Sequence, residues 1–444
     1  MGKKKRAGKR KAEKGARKEA RQDRQAPWAT SSYVNTNLMI LASFVGVAFL
    51  FHGLAVPDTA EIFPLSMFFG PKIAWAGVPY AVALLAALWL ALRHKLSVTQ
   101  VWLVGLAVIV LGNLAQGGFH IGIVRPVYIW DRQYYNEAIR IGDWQAWLRS
   151  FTGIQGTLNA HAKTHPPFAV LLHYVIGSRA AIGVVFTVLT SFSIPLLWRA
   201  LRALGTTPER ASLLSLLFAV IPAVNIYGAV SLDAVVMTTS TVFLLGLVLL
   251  INEDRWSWPA ACLFAGGVLA SNALSFGSLF LLAVAAYWAY RHRPVRNALG
   301  LTLALGLATY VILRWGFGYD HVRAFLNASA IENPDGFRGF AAPAHYWLTR
   351  IENVGNMAFF LSIPLLAAAV RHRPRPITLT ALAVLAVMFL AGVFRTGETA
   401  RACLFVYPFL FLSLTDLTEP FLRWLILAAG IQTAAMQVLG NFSW

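Results

Sequence analysis

Charge is scarce in this chain. Asp, Glu, Lys and Arg together make up 13% of its 444 residues, about half the share of a soluble protein. That scarcity excludes an ordinary globular domain with a wet surface on all sides. Acids are the scarcer sign, 19 against 38 Lys and Arg. Cysteine is almost missing: Cys262 and Cys403 both lie inside apolar runs, which reads as two packed thiols rather than a disulfide framework or a metal pair. The short alternating segments of a membrane β-barrel, about ten residues each, are absent as well.

Apolar residues are what the chain has, 57% of the total. They recur in runs of about 20 residues, the length that crosses a hydrocarbon core as a helix. A helix satisfies its own backbone in lipid, so an all-α integral membrane protein is expected. Thirteen candidate spans begin near Asn37, Ala74, Val101, Arg179, Ala211, Ser231, Pro259, Ser275, Asn297, Asn353, Ile377, Ala402 and Phe421.

Basic clusters orient these spans, because Lys and Arg favour the cytoplasmic side. Residues 1–25 carry twelve Lys/Arg and three Asp/Glu, a net +9. The stretch reads as a basic cytoplasmic tail that orients the first helix and meets anionic lipid. It is too long for the basic region of a signal peptide, and no nucleic-acid partner is expected. Further clusters at 91–95, 198–210, 289–296 and 369–376 fall on every second loop. The segments 119–178 and 315–352 then become long loops on the non-cytoplasmic face, and long loops are usually functional. A plasma membrane with its active face outward is the expected setting.

The remaining acids collect in those outer segments. Asp131 stands in WDRQYYNEAI, beyond the third span, where an acid serves either as a helix cap or as a functional group. Along DRQYYNEAIRIGDWQAWLRSF, Tyr134, Ile139, Ile141, Trp144, Trp147 and Leu148 form an apolar face for short interfacial helices. Glu137 is a weaker candidate, expected to face water from such a helix. Asp233, in NIYGAVSLDAVVM, is an ionisable group in apolar surroundings at the outer end of the sixth span. HAKTHPPF gathers His161, Lys163 and His165 ahead of two prolines that suit a helix start. Cations at an open helix N-terminus attract an anion, with phosphate the natural guest. FRTGETARACLF places Arg395, Glu398 and Arg401 at the outer mouth of the twelfth span. Arginine on that side runs against the orientation rule, but it is the residue that grips phosphate bidentately.

Taken in order, the acid of the first long outer loop, the PP-helix, the second acid and the late G-E-x-x-R element resemble one family. They are similar to the polytopic GT-C-type glycosyltransferases that use a polyprenyl-phosphate-sugar, such as protein O-mannosyltransferases and lipid A aminoarabinose transferases. The resemblance covers roughly residues 100–440 and implies a GT-C-like arrangement of about thirteen transmembrane helices with outer-face amphipathic loop helices. It implies a division into a tail (1–27), two extra helices (28–98) and a catalytic module (99–444). By resemblance, Asp131 is the base or acceptor ligand, and Asp233 works beside it, in some members through a divalent metal. Lys163, His165, Arg395 and Arg401 would contact the donor phosphate, with Tyr134, Glu137, His161 and Glu398 in support. The implied reaction is sugar transfer, with inversion, to a hydroxyl of a glycan, lipid or protein. Two other classes remain open: a transporter or flippase of a lipid-linked or anionic substrate, and an assembly partner working through its basic tail.

Overall fold

The structure is a computed structural model that describes residues 31–53, 73–334, 336–394, 398–440 and 442. The basic tail therefore lies outside the described residues, as does Arg395. Among the described residues the fold is entirely helical, without strands.

Helix α1 (Ser31–Gly53) is followed by α2 (Val78–Ala91) and α3 (Val98–Leu114). A capping box starts α3: Gln100 N donates to Ser97 Oγ at 3.4 Å and Ser97 N donates back to Gln100 Oε1 at 2.9 Å. The first long outer segment then carries three short helices, α4 (Tyr134–Ala138), α5 (Trp144–Ile154) and α6 (Phe168–Ile176). Asp143 caps α5 by accepting from the amides of Gln145 and Ala146. Leu148 and Phe151 face inward from α5 while Arg149 stays exposed, the expected amphipathic arrangement. Ile139 departs from its expected apolar face and is 59% exposed.

The bundle continues with α7 (Arg179–Ser191), α8 (Ser193–Ala203), α9 (Pro208–Val220), α10 (Pro222–Tyr227), α11 (Leu232–Glu253) and α12 (Trp258–Leu274). After them come α13 (Leu279–Arg291), α14 (Arg293–Val311), α15 (His321–Glu332), α16 (Arg338–Ala341), α17 (Pro343–Phe360) and α18 (Ile363–Ala369). The last four are α19 (Pro376–Leu390), α20 (Thr399–Ala402), α21 (Tyr407–Phe411) and α22 (Glu419–Leu439). Helices lie at or beside all thirteen expected span positions, but among the described residues length and composition suffice for a crossing in five, at 31–50, 179–203, 232–253, 293–316 and 419–439. A sixth appears if α17 and α18 are joined across a 102° bend. Shortness has a cause in the sequence, since proline and breaks interrupt several apolar runs.

One such break separates α9 from α10. Pro222 has no N–H, and Ile221 leaves the helix with φ −55° and ψ 145°. Two carbonyls freed there find side chains: Thr433 Oγ1 donates to Val220 O at 2.6 Å and Asn225 Nδ2 reaches Ala219 O at 3.4 Å. Asn225 belongs to a buried amide cluster. Gln437 Nε2 donates to Asn225 Oδ1 (3.0 Å), Gln116 Nε2 to Gln437 Oε1 (2.8 Å), and Asn113 Nδ2 to Asn225 O (2.7 Å). Three segments of the bundle, α3, α9–α10 and α22, are tied together by these bonds.

The hairpin of α11 and α12 is packed backbone to backbone. A Cβ on Gly246 would stand 2.4 Å from Phe264 N, and one on Gly267 2.4 Å from Phe243 N. Small residues that permit close approach are the usual glue of apolar helix pairs. Gly267→Ala is therefore expected to force the pair apart, at a cost of about 1–3 kcal/mol. At Gly300, on α14, an added Cβ would meet no described atom within 4 Å, so Gly300→Ala should be neutral or stabilising by about 0.5–1 kcal/mol. Thermal unfolding of both variants in detergent checks this; equal midpoints would contradict the packing.

Candidate functional site

A cavity among the described residues measures about 950 Å³, and its lining carries two kinds of chemistry. The polar part comes from Arg132, Tyr134, His161, His165, Asp233, Glu398 and Arg401. An apolar part comes from Leu279, Phe280 and Ala283 of α13 and Val384, Val387 and Met388 of α19. Leu279 and Val387 of this apolar wall are 44% and 65% exposed. A third stretch of wall comes from Ser329, Glu332 and Asn333 at the end of α15 and from Arg338.

Arg401 organises the polar part. It is 8% exposed, and a guanidinium so buried needs partners. Glu398 Oε2 accepts from Nη2 at 2.6 Å, and Asp233 Oδ2 lies 3.3 Å from Nε without hydrogen-bond geometry. Nη1 has no hydrogen-bond partner among the described residues. Nε and Nη1 are both buried, so the guanidinium is held with donor capacity that no described residue uses. Asp233 sits in the first turn of α11, where the helix dipole favours a carboxylate. Its own amide donates to Ser231 Oγ at 3.1 Å, so Ser231 caps the helix and the acid is left for Arg401.

Three histidines surround the ring of Tyr134. His161, His165 and His173 have centroids at 5.7, 5.4 and 5.4 Å from it. His165 Nδ1 lies 3.0 Å from His161 O, and His173 Nδ1 lies 2.7 Å from Ala169 O. A carbonyl only accepts, so each Nδ1 carries the proton and each Nε2 is left as the lone-pair nitrogen. Burial, opposed by that carbonyl bond and assisted by Arg401, pushes His165 down to about 4. His161 is held well below the usual imidazole value by burial first, then by Arg401, His165 and Arg132. Burial and the nearby Asp233 raise Tyr134 well above the phenol range. At neutral pH the site therefore presents neutral imidazoles and a neutral phenol around one buried cation.

The expected residues divide into two groups. Asp233, Tyr134, His161, His165, Glu398 and Arg401 meet in one cavity. Asp131 does not line it. Its side chain is 75% exposed and pairs with Arg140 at 3.3 Å, because Trp130 and Asp131 both take left-handed backbone angles (φ 71° and 34°) that turn the acid outward. Asp131 is not the cap of α4 either, which follows Gln133. Glu137, expected to face water, is buried and braces the fold, accepting from Asn159 N at 2.8 Å and Arg140 Nη1 at 3.3 Å. Lys163 is half-buried on the same turn as His161 and does not line the cavity.

A metal between Asp131 and Asp233 does not fit these positions. One acid is outside the cavity and the other is committed to Arg401. Among the described residues no three His, Cys, Asp or Glu side chains are grouped to hold a metal ion.

Several positioning residues escaped the sequence. Asn159 donates to Gln133 O at 2.8 Å and accepts from Ala162 N at 3.0 Å, joining the histidine turn to the base of α4. On α17, Arg350 donates to the carbonyls of Phe389, Val393 and Phe394 at 2.6, 2.8 and 2.6 Å. Asn353 also donates to Phe394 O (3.1 Å), Thr399 Oγ1 donates to Asn353 O (2.8 Å), and Ala400 N donates to Asn356 Oδ1 (2.6 Å). These bonds set the segment that carries Glu398 and Arg401. The signal was present: Tyr346, Arg350, Asn353 and Asn356 recur at intervals of four, three and three, one polar stripe on a helix.

Cys403, two residues past Arg401, is fully buried, whereas Cys262 is exposed. In a Cys262→Ser background, Cys403 should resist a maleimide. Arg350→Leu should speed its labelling about tenfold or more, the equivalent of roughly 1.4 kcal/mol of lost hold on the segment. Unchanged labelling would show that Arg350 does not anchor it.

Comparison of the chain with protein-family models, with characterised proteins and with solved structures gives no match. What the protein does must therefore be drawn from the chemistry of this cavity.

Proposed function

We propose that the chain is a membrane glycosyltransferase that moves a sugar from a polyprenyl-phosphate carrier to an acceptor hydroxyl on the non-cytoplasmic face. In this reading it crosses the membrane about thirteen times in a GT-C-like arrangement, the shorter apolar helices and the broken ones each counting as one crossing. One observation carries it: a single cavity lined both by a charged, polar cluster around Arg401 and by an apolar wall from α13 and α19. A polyprenyl-phosphate-sugar has the same two parts. Its phosphate would meet Arg401, its sugar would lie under Tyr134 and the histidines, and its hydrocarbon would leave between α13 and α19.

The chemistry follows from the cluster. As the bond from the sugar's anomeric carbon to the phosphate oxygen breaks, negative charge grows on phosphate. A cation already fixed in a dry cleft stabilises that charge without reorganising. Arg401 is suited to this because two carboxylates hold it while Nη1 remains unpaired among the described residues. The acceptor is a glycan, lipid or protein hydroxyl that enters from the side of α15 and Arg338.

The test uses purified protein in nanodiscs with a panel of polyprenyl-phosphate-hexoses and -pentoses, and envelope fractions as acceptor. Release of polyprenyl phosphate with appearance of the sugar on an acceptor is expected. Arg401→Gln should lower turnover roughly 10²–10³-fold, the loss seen when one charge-stabilising donor is removed. Movement of the lipid between leaflets with no transfer from any donor would favour the transporter reading instead.

A further inference from the structure

We infer that His165 is the proton acceptor for the attacking hydroxyl, and that Asp233 is a positioning residue that holds Arg401. The inference rests on the transfer reading above. It departs from the expectation that His165 is a cation for the phosphate and that a carboxylate is the base.

Four carboxylates near the site have other duties, and a fifth, Glu332, stands on the α15 stretch of the wall rather than in the Arg401 cluster. Asp131 is exposed, bound to Arg140 and absent from the cavity wall. Glu137 is buried and spent on Asn159 N and Arg140. Glu398 and Asp233 both face Arg401. Protonating either one during the reaction would weaken the hold on the guanidinium at the moment the leaving phosphate needs it.

The imidazoles are better placed. His165 lines the cavity, and its Nδ1–H is tied to His161 O at 3.0 Å. That bond fixes both the ring plane and the tautomer and leaves Nε2 as the basic atom, the way a base is oriented by a third group in hydrolytic triads. His173 also lines the cavity and has the same arrangement, but it is only 5% exposed, whereas His165 is half-buried. At His161 it is the backbone carbonyl that takes part in such bonds, accepting from Thr164 and His165, and among the described residues no orienting bond is seen at its ring nitrogens.

The step balances. The acceptor O–H proton passes to His165 Nε2 while the oxygen bonds to the anomeric carbon. The carbon–oxygen bond to phosphate breaks with its electron pair going to phosphate, which leaves as polyprenyl phosphate beside Arg401. The imidazolium then returns its proton to water once the products part.

Charged and titratable groups surround the cavity that His165 lines. They are His161 on its own turn, Tyr134 from α4, Arg132 before it, His173 from α6, Arg401 and Glu398 around α20, Asp233 from α11, Glu332 from α15 and Arg338 from α16, with Lys163 on the same turn but off the wall. In the free protein the ring is a weak base, about 4. Burial is the larger cause of that depression and Arg401 a smaller one, and an anionic donor lying against the guanidinium offsets the smaller part. The acid limb of kcat should therefore lie at higher pH than the limb of kcat/KM, since the first reports the donor complex and the second the free enzyme.

The experiment measures transfer and, separately, binding of farnesyl methyl phosphate, a diester whose single charge does not titrate in this range. His165→Gln should lose kcat roughly 10²–10⁴-fold and bind the diester as the wild type does at neutral pH. Its residual activity should lack the acid limb. His165→Ala should regain at least tenfold with added imidazole. A His165→Gln protein that keeps kcat but binds the diester poorly would overturn the inference and return His165 to a phosphate contact. So would full activity in His165→Gln alongside an inactive, diester-binding Asp131→Asn or Asp233→Asn. Absence of transfer in the wild type itself is a different result and would remove the function reading, and this inference with it.

Discussion

A helix broken inside an apolar bundle frees backbone groups that only protein can satisfy. In water such groups cost little; away from it each one left unpaired costs several kcal/mol. This chain breaks its helices repeatedly, and several buried polar side chains stand at those breaks. Asn225 and Thr433 take the carbonyls ahead of Pro222. Gln432 spans the sharp bend between α17 and α18, accepting from Ile363 N at 3.0 Å and donating to Phe359 O at 3.1 Å. Arg350, with Asn353, takes the carbonyls at and after the end of α19.

The last of these breaks positions the site. Arg350 fixes the chain where α19 ends, Asn353 and Asn356 fix it again at Thr399 and Ala400, and Arg401 follows within one turn. The guanidinium that α20 delivers is then met by Asp233 from α11, whose placement depends on the glycine-packed pairing with α12. Unlike a surface ion pair, worth little because water competes for it, this cluster is buried, so losing one partner would strand a charge. Fold and site are thus coupled through backbone satisfaction rather than through any one apolar contact.

How much of this was legible in the sequence follows from what each residue type reveals. Helix positions were readable because an apolar run of membrane length has little other option. Where runs were cut short, as at Pro222, the proline was visible but its consequence for span length was not. Asp233, His161, His165, Glu398 and Arg401 were readable because ionisable groups in apolar surroundings need a reason. That they converge on one cavity depends on tertiary packing. Asp131 misled because its direction is set by two left-handed backbone angles, at Trp130 and at Asp131 itself, in residues that rarely adopt them. Lys163 misled in a similar way, since its turn presents the flanking histidines to the cavity instead. Arg350 was missed for the opposite reason: an arginine in a loop-flanking helix looks like surface until its stripe of partners is counted.

Charge balance in the cavity narrows the chemistry further. Among the described residues its formally charged lining groups are Arg132, Arg338 and Arg401 against Asp233, Glu332 and Glu398, three of each sign, with His161 and His165 neutral. A phosphodiester donor brings the total to −1. Breaking its bond to the sugar adds a second negative charge on phosphate, and the attacking hydroxyl releases one proton. If that proton left for the exposed surface, as a base at Asp131 would require, the buried cavity would pass through −2 in a low-dielectric setting. If it stays on a group lining the same cavity, the total remains −1 from donor to product. A neutral imidazole can take the proton without giving up an ion pair, whereas Asp233 and Glu398 cannot. The same electroneutral lining that lets an anionic carrier enter therefore also favours keeping the transferred proton inside.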